Sequence, residues 1–388
     1  MTIFVFLTSG LCLAEEYSVP NEGSPYKSID EIQFNQILHL PTGLVVDLEQ
    51  MVDTILSSRV IYIGETHDNL EAHRIQLEII KKLFERRKGK IAVGMEMFRK
   101  SAQNDLNLWY NNQLSDEKFK KVFRKNWGGG YKLYQPIFEF LKSNHVQLIG
   151  LKSSSQTEAR LKKGFTQVNF PEMDENDIYH KAYAEAVFGG NNSKHGHDNN
   201  MLYKILVLWD ESMAETVADF LQDLQQSDSI LIVLAGGFHV QYGYGIPKRA
   251  FRRIPHSYST ILPFVSSVSS ELKDREMKIK PVSIPLVAAD FGWKVNYKVL
   301  PKIKIRLGIG IEEVTGGVKV KSVSPGSIAE KMDIRKDDLL LSLDKEKLSG
   351  IEDLIDRLQI KNVGDPISIK VSREKAEVQL QGVIKKSE

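Results

Sequence analysis

The 388-residue sequence contains a single cysteine. It is Cys12, and it lies in an N-terminal apolar run, so the remaining chain has neither a disulfide framework nor a cysteine-built metal site. An excess of one charge is also missing, since 52 Lys and Arg stand against 50 Asp and Glu. Such a chain has no general field to attract nucleic acid or an anionic membrane, and no nucleic-acid partner is expected. No apolar run approaches the ~20 residues that a membrane-spanning helix needs. Low-complexity tracts, internal repeats and a Gly-x-Ser-x-Gly elbow for a serine nucleophile are absent as well.

What remains is a globular composition, 42% hydrophobic and 26% charged, in a chain long enough for two or three domains. Residues 3–14, IFVFLTSGLCLA, form an apolar stretch ending in a small residue, with Glu15 and Glu16 next. This pattern predicts a signal peptide over 1–14, cut after Ala14, and a protein exported to the periplasm or associated with the outer membrane. No basic segment precedes the apolar stretch, and Leu11 fits poorly before a lipid-bearing Cys12.

From about residue 27 to residue 300 short apolar runs alternate with helical patterns, which predicts a layered α/β domain. The strand-like runs are Val60–Ile63, Ile91–Val93, Val146–Leu151 and Ile230–Leu234; each is apolar throughout, as strands covered on both faces require. Leu70, Leu77, Ile80 and Phe84 recur at helical spacing, and WDESMAETVADFLQDL reads as an amphipathic helix. Between Ser101 and His145 lies a helical insertion rich in aromatics, from Trp109 to Phe140. Its rings suit a core, or a slot for a flat apolar macrocycle. Residues 165–200 are polar, with a loop holding His195 and His197. The Ser-rich stretch 266–276 is the most linker-like segment of the chain.

In open α/β sheets ligands bind beyond the carboxyl ends of the strands. Here those ends run into Gly64-Glu65-Thr66-His67, Gly94-Met95-Glu96 and Gly236-Gly237-Phe238-His239. Two imidazoles and two carboxylates converging beside glycines suit a divalent metal or a general acid/base pair. The following Tyr242-Gly243-Tyr244-Gly245, with Arg249, is either a tight turn or a rigid loop presenting phenols and a cation.

Taken in order, IGETHDN followed by His73 and Gln76, then GMEMF, WDESMA and GGFHVQYGYGIPKR resemble the ChaN-like haem-binding family, over roughly 37–289. More distantly they resemble the Tiki proteases, which share the paired GxxH motifs. The resemblance implies binding of haem iron for iron acquisition, homodimers with haem near the interface, and a tyrosine as axial ligand. Phenolate is a hard oxygen suited to Fe(III). It carries over Glu65, His67, Glu96, His239, Tyr242, Tyr244 and Arg249 as cofactor-binding positions. Tyr131 and Tyr134 compete with Tyr242 and Tyr244 for the axial role. The Tiki likeness implies a rival, a metal-dependent hydrolase or peptidase with His67, His239, Glu65 and Glu96 at a divalent metal. One departure is Gly150-Leu151-Lys152-Ser153, where many members carry an asparagine at the strand end.

Residues 301–388 resemble the PDZ domains of HtrA-type proteases, through LGIGIEEV, GGVKVKSVSPGSIAEKMDIRKDDLLLSLD and SGIEDLIDRLQ. The resemblance implies a small β-rich module that binds peptides or protein C-termini along Leu307, Gly308, Ile309, Gly310 and Ile311. Lys336-Asp337 stands where the family usually has Gly-Asp.

Overall fold

The computed structural model describes residues 27–164, 170–188, 199–265, 268, 286–300, 305–314, 317–359, 361–374 and 376–385. The expected signal segment, His195, His197 and most of the 266–276 stretch lie outside the described residues.

Eight strands build the first sheet: β1 (Ile37–His39), β2 (Leu44–Val46), β3 (Val60–Glu65), β4 (Ile91–Arg99), β5 (Gln147–Lys152), β6 (Ile230–Gly236), β7 (Tyr258–Val265) and β8 (Phe291–Val295). Their spatial order is β2-β1-β8-β7-β3-β6-β4-β5. From β8 to β5 neighbours run parallel, and β1 and β2 add an antiparallel edge. The apolar runs 60–63, 91–93, 146–151 and 230–234 mark the four strands β3 to β6.

Every residue of β3 is buried, and its alternation separates two layers. Ile61 and Ile63 join a core with α1 (Leu48–Ile55), α2 (Leu70–Arg86) and the insertion helices α3 (Gln103–Tyr110), α4 (Asp116–Asn126) and α5 (Tyr131–Ser143). Val60 and Tyr62 face the opposite side. Three of the remaining helices, α6 (Ser155–Lys162), α7 (Ile178–Phe188) and α8 (Asn199–Gln222), precede β6, and α9 (Gly237–Val240) and α10 (Ile246–Arg253) follow it. From these, Met213 and Val217 of α8 and Ala250 of α10 pack with Val60 and Tyr62. Helix α7 falls in the stretch read as polar, and its buried face is His180, Tyr183, Ala184 and Val187.

The aromatic insertion packs mainly on itself. Trp109 stacks on Phe119 at 3.9 Å, and Phe98, Phe123 and Phe138 meet edge-on at 5.6–5.9 Å. All five are buried, so these rings are core and leave no slot between them. Trp127, just past α4, and Tyr134 of α5 differ: both reach the carboxyl ends of the strands.

Strand β6 comes late in the chain yet lies between β3 and β4. Its register sets Glu65 opposite Gly236 on one side, and Met95 opposite Leu234 on the other. Glu65, Gly236 and Glu96 thereby share one end of the sheet. After β8 the chain stays on this domain, where Lys298 N–H donates to the Asn69 side chain (2.9 Å) that caps α2.

The second unit is a six-stranded antiparallel sheet of β9 (Ile309–Val314), β10 (Gly317–Val323), β11 (Leu339–Leu343), β12 (Glu346–Lys347), β13 (Pro366–Arg373) and β14 (Ala376–Val383). Helices α11 (Ile328–Lys331) and α12 (Ile351–Gln359) close over a core of Val318, Val320, Leu340, Ile369 and Val371. Strand β9 is an edge. At the Lys336-Asp337 turn it is Asp337 that takes the left-handed conformation (φ 71°), which aspartate tolerates better than most residues.

Candidate functional site

Glycines let the strand ends close up. A Cβ on Gly236 would stand 2.9 Å from His67 Nε2 and 3.5 Å from Glu96 Oε2, so only glycine lets these groups approach the backbone. Around them opens a cleft of about 700 Å³, floored by Glu65, His67, Glu96, Lys152 and His239 and walled partly by Trp127, Trp209, Tyr183, Phe188, Phe238 and Phe264.

Each floor imidazole has a carboxylate behind it. His67 Nδ1 donates to Glu65 Oε1 at 2.7 Å, and His239 Nδ1 to Asp210 Oδ1 at 2.6 Å. Both rings therefore turn Nε2 toward the cleft. Glu65 also accepts from Tyr134 Oη (2.5 Å) and Gln76 Nε2 (2.8 Å). Glu96 accepts the Gly236 N–H at 2.8 Å, and its other oxygen lies 3.6 Å from His239 Nε2 and 3.6 Å from Lys152 Nζ.

Asp210 is shared. Arg249 can only donate, so His180 Nδ1 accepts from its Nη2 (3.1 Å), and His180 Nε2 carries its proton 3.0 Å from Asp210 Oδ2. That approach is an ion-pair distance without hydrogen-bond alignment. A chain of polar groups thus runs inward from Glu96 through His239, Asp210 and His180 to Arg249.

The network fixes charge. Burial alone would raise the Glu65 carboxyl, but His73 and the bonds from His67 and Tyr134 bring it down to about 2. Burial opposes a charge on His67, yet the Glu65 bond and the Glu96 charge raise its imidazole to about 9. For His239, too, burial is outweighed, by Asp210 and Glu96, and its pKa rises. Glu96 and Asp210 are both held below the usual carboxylate range, because the histidines beside them outweigh burial.

Among the described residues no three of His, Cys, Asp and Glu are placed to hold a metal ion. The expectation of a divalent metal on His67, His239, Glu65 and Glu96 is therefore not supported: Glu65 is committed to Tyr134, Gln76 and His67, and the Lys152 ammonium already faces Glu96.

Glu65, His67, Glu96 and His239 come together as the sequence suggests. Tyr242 and Tyr244 stand one ring back, packed against the wall residue Tyr183 at 5.4 and 6.0 Å. Arg249 is buried away from the cleft lining in an ion pair with Glu211. Of the tyrosines named for an axial role, Tyr134 is buried and tied to Glu65, and burial beside that carboxylate pushes its phenol far up. Tyr131 belongs to the aromatic core of the insertion.

Sequence reasoning missed Asp210, His180, Lys152, Trp127 and Trp209. Asp210 stood inside the WDESMA string and Lys152 inside a noted departure, so both carried a signal; His180 carried none.

In the second unit, Leu307, Gly308, Ile309, Gly310 and Ile311 line a groove of about 560 Å³ opposite Leu354, Ile355 and Leu358 of α12. Gly308 has φ 79°, and a Cβ there would meet Ser327 at 2.3 Å.

A family model described as haem-binding uptake, Tiki superfamily, ChaN matches residues 51–250, and a PDZ model matches 306–381. Among solved structures, one described as cofacial haem binding to ChaN of Campylobacter jejuni is 18% identical, with a TM-score of 0.53 over 66% of this chain and 95% of that one. The HtrA-type protease AlgW with a decapeptide is 21% identical over 22% of this chain and 30% of its own (TM-score 0.21). The serine endoprotease from Yersinia pestis is 24% identical over 22% and 30% (TM-score 0.20). No curated protein matches. The family match covers more than half of the sequence, on a fold shared with a solved ChaN, and the chain belongs to the ChaN haem-binding family of the Tiki superfamily, with a PDZ domain after it.

Proposed function

We propose that the first domain carries ferric haem in the strand-end cleft, that the PDZ domain docks the protein to a partner by capturing a peptide C-terminus, and that the whole serves iron acquisition outside the cytoplasm. The observation that carries this reading is the cleft itself: about 700 Å³, walled by Trp127, Trp209, Tyr183 and Phe238, with ionised groups only on its floor. Aromatic walls with a few convergent polar groups suit a flat, amphiphilic macrocycle, and the volume is that of cofactor pockets. With Tyr134 and Tyr131 occupied elsewhere, the candidates for an axial oxygen are Tyr183 in the cleft wall and, one ring behind it, Tyr242 and Tyr244. Tyr242 holds a left-handed backbone (φ 59°), a conformation that costs a tyrosine energy and is often kept for function. Exposed Ile178, Tyr179 and Phe188 on α7 offer an apolar rim to a second copy, in keeping with the cofacial haem binding described for the Campylobacter jejuni protein.

The test is a hemin titration of the full chain followed by visible absorbance. A Soret shift that saturates at a defined stoichiometry is expected. Absorbance that grows linearly without saturation would remove the haem reading.

A further inference from the structure

The groove of the second unit opens at one end onto the first. Ile355 of α12 borders both the groove and a gap lined by Lys120, Arg124, Tyr131 and Lys132 of the aromatic insertion. At that end Glu313, near the close of β9, accepts the N–H of Ile351 at the start of α12 (3.2 Å), and Arg124 of α4 donates to the same oxygen. Lys132 is paired as well, with Asp356 at 3.1 Å. The ion pairs of α4 are Arg124 with Glu313 and Asp116 with Lys142, and among the described residues none takes Lys118, Lys120, Lys121 or Lys125. Lys120 instead holds its ammonium 5.4 Å from the centre of the Tyr131 ring. At helical spacing Lys120, Arg124, Glu117, Lys121, Lys125 and Lys118 follow one another around the side of α4 away from the buried Phe119 and Phe123. Five cations there stand against one carboxylate. A peptide whose carboxylate sits at the Leu307-Gly308 amides can only run along β9 toward Glu313, one residue for each residue of strand. With its last side chain beside Ile309, it leaves the groove at α4 about four residues upstream.

We propose that α4 of the haem-binding domain extends the PDZ groove, and that the partner it fits is a protein C-terminus with an apolar last residue and acidic side chains beginning about four residues upstream. The assignment rests on the PDZ reading above and adds the chemistry of the partner, which the groove alone does not set. Carboxylates leaving the groove meet Lys120 first, then Lys121 and Lys125 on the open side of the helix. Each such contact between half-exposed charges is modest, several together are selective, and salt screens them all. Specificity is thus divided between the two domains: the groove reads the chain end, and the insertion reads the charge behind it.

Three free-acid peptides, titrated into the full chain and followed by fluorescence anisotropy, isolate the contact. One is short and ends before α4; the other two share its C-terminal sequence and continue upstream in either glutamates or serines. At low salt the glutamate peptide is expected to bind more tightly than the serine peptide by roughly 5- to 30-fold, and the difference should fall to about twofold or less by ~0.5 M salt. Lys120→Gln combined with Lys121→Gln and Lys125→Gln should bring the two longer peptides to near-equal affinity. The short peptide reports whether the groove of that variant is intact, and the wild-type comparison stands without the variant. Equal binding of the two longer peptides by wild type, a preference untouched by salt, or one unchanged in the triple variant would overturn the role of α4 while leaving capture of chain ends intact. Absence of saturable binding by all three peptides would overturn the PDZ reading and this assignment with it.

Discussion

Glu65 shows how one carboxylate can set the pH range of the whole site. Its folded pKa, about 2 against an ordinary 4.5, means that its contribution to stability is present above about pH 4.5 and fades as pH falls toward 2. His67, raised to about 9 from 6.5, contributes fully below pH 6.5 and loses its share as pH climbs through 9. The two form one pair, so stability should plateau between roughly 4.5 and 6.5 and decline on both sides. Glu65→Gln should make the acid decline shallower, because one depressed carboxylate is gone, and should make the alkaline decline smaller and complete at lower pH, because His67 loses its partner. Thermal melts at one-unit pH intervals read this directly; a variant curve parallel to wild type at every pH would show that the pair does not govern stability. At this scale the sequence is half legible. Glu65, His67, Glu96 and His239 betray themselves by sitting beside glycines at the ends of apolar runs. Asp210, His180 and Lys152 reach the same cleft or its backing from separate helices and a neighbouring strand, and only the spatial order of strands brings them together.

At the scale of elements, legibility follows burial on both faces. Strands β3 to β6 are continuous apolar runs and can be read. β1 and β2 are three residues each, β7 contains Pro263, and β8 contains Lys294, whose buried ammonium donates to the carbonyls of Asp30 and Ile32. No periodicity announces such strands. Helix α7 hides differently, because its exposed Ile178 and Tyr179 and buried His180 blur its amphipathic pattern. Strand β9, at the end of its sheet, has an unpaired edge. Its neighbour β10 occupies one edge only, and the backbone groups of the other edge face the groove beside α12. A peptide that adds a strand there gains sequence-tolerant backbone bonds, with its terminal carboxylate near the Leu307-Gly308 amides and its last side chain against Leu354 and Leu358. Peptides ending in an apolar residue should therefore bind the full chain as free acids. Their C-terminal amides should bind more weakly by about 2–4 kcal/mol, the worth of one or two charge-assisted hydrogen bonds. Fluorescence anisotropy compares the two forms, and equal affinity would mean that the groove does not recognise chain ends.

At the scale of the whole molecule, two ion pairs among the described residues join the PDZ domain to the aromatic insertion. Arg124 of α4 meets Glu313 of β9 at 2.5 Å, and Lys132 of α5 meets Asp356 of α12 at 3.1 Å. Between these pairs Leu300, Tyr131 and Ile355 border a gap of about 120 Å³. Half-exposed ion pairs of this kind contribute ~0.2–1 kcal/mol each, too little to hold two domains rigidly once salt screens them. The Debye length shrinks from ~10 Å at 0.1 M salt to ~3 Å at 1 M, which reaches pairs that solvent can enter. Raising the salt should therefore loosen the docking and increase the radius of gyration measured by small-angle scattering, without unfolding either domain. Arg124→Glu should produce the extended form already at low salt, since it sets two carboxylates against each other. Mutating Glu313 would be a poorer test, because that side chain also accepts the Ile351 N–H at the start of α12 and its loss would disturb the groove wall. The groove-facing Leu354 and Leu358 take no part in these pairs, so Arg124→Glu should leave peptide affinity within about twofold of wild type, as expected when the changed group touches no ligand. A radius of gyration that stays constant with salt and is the same in the variant would show the two domains to be fixed by something other than these charges.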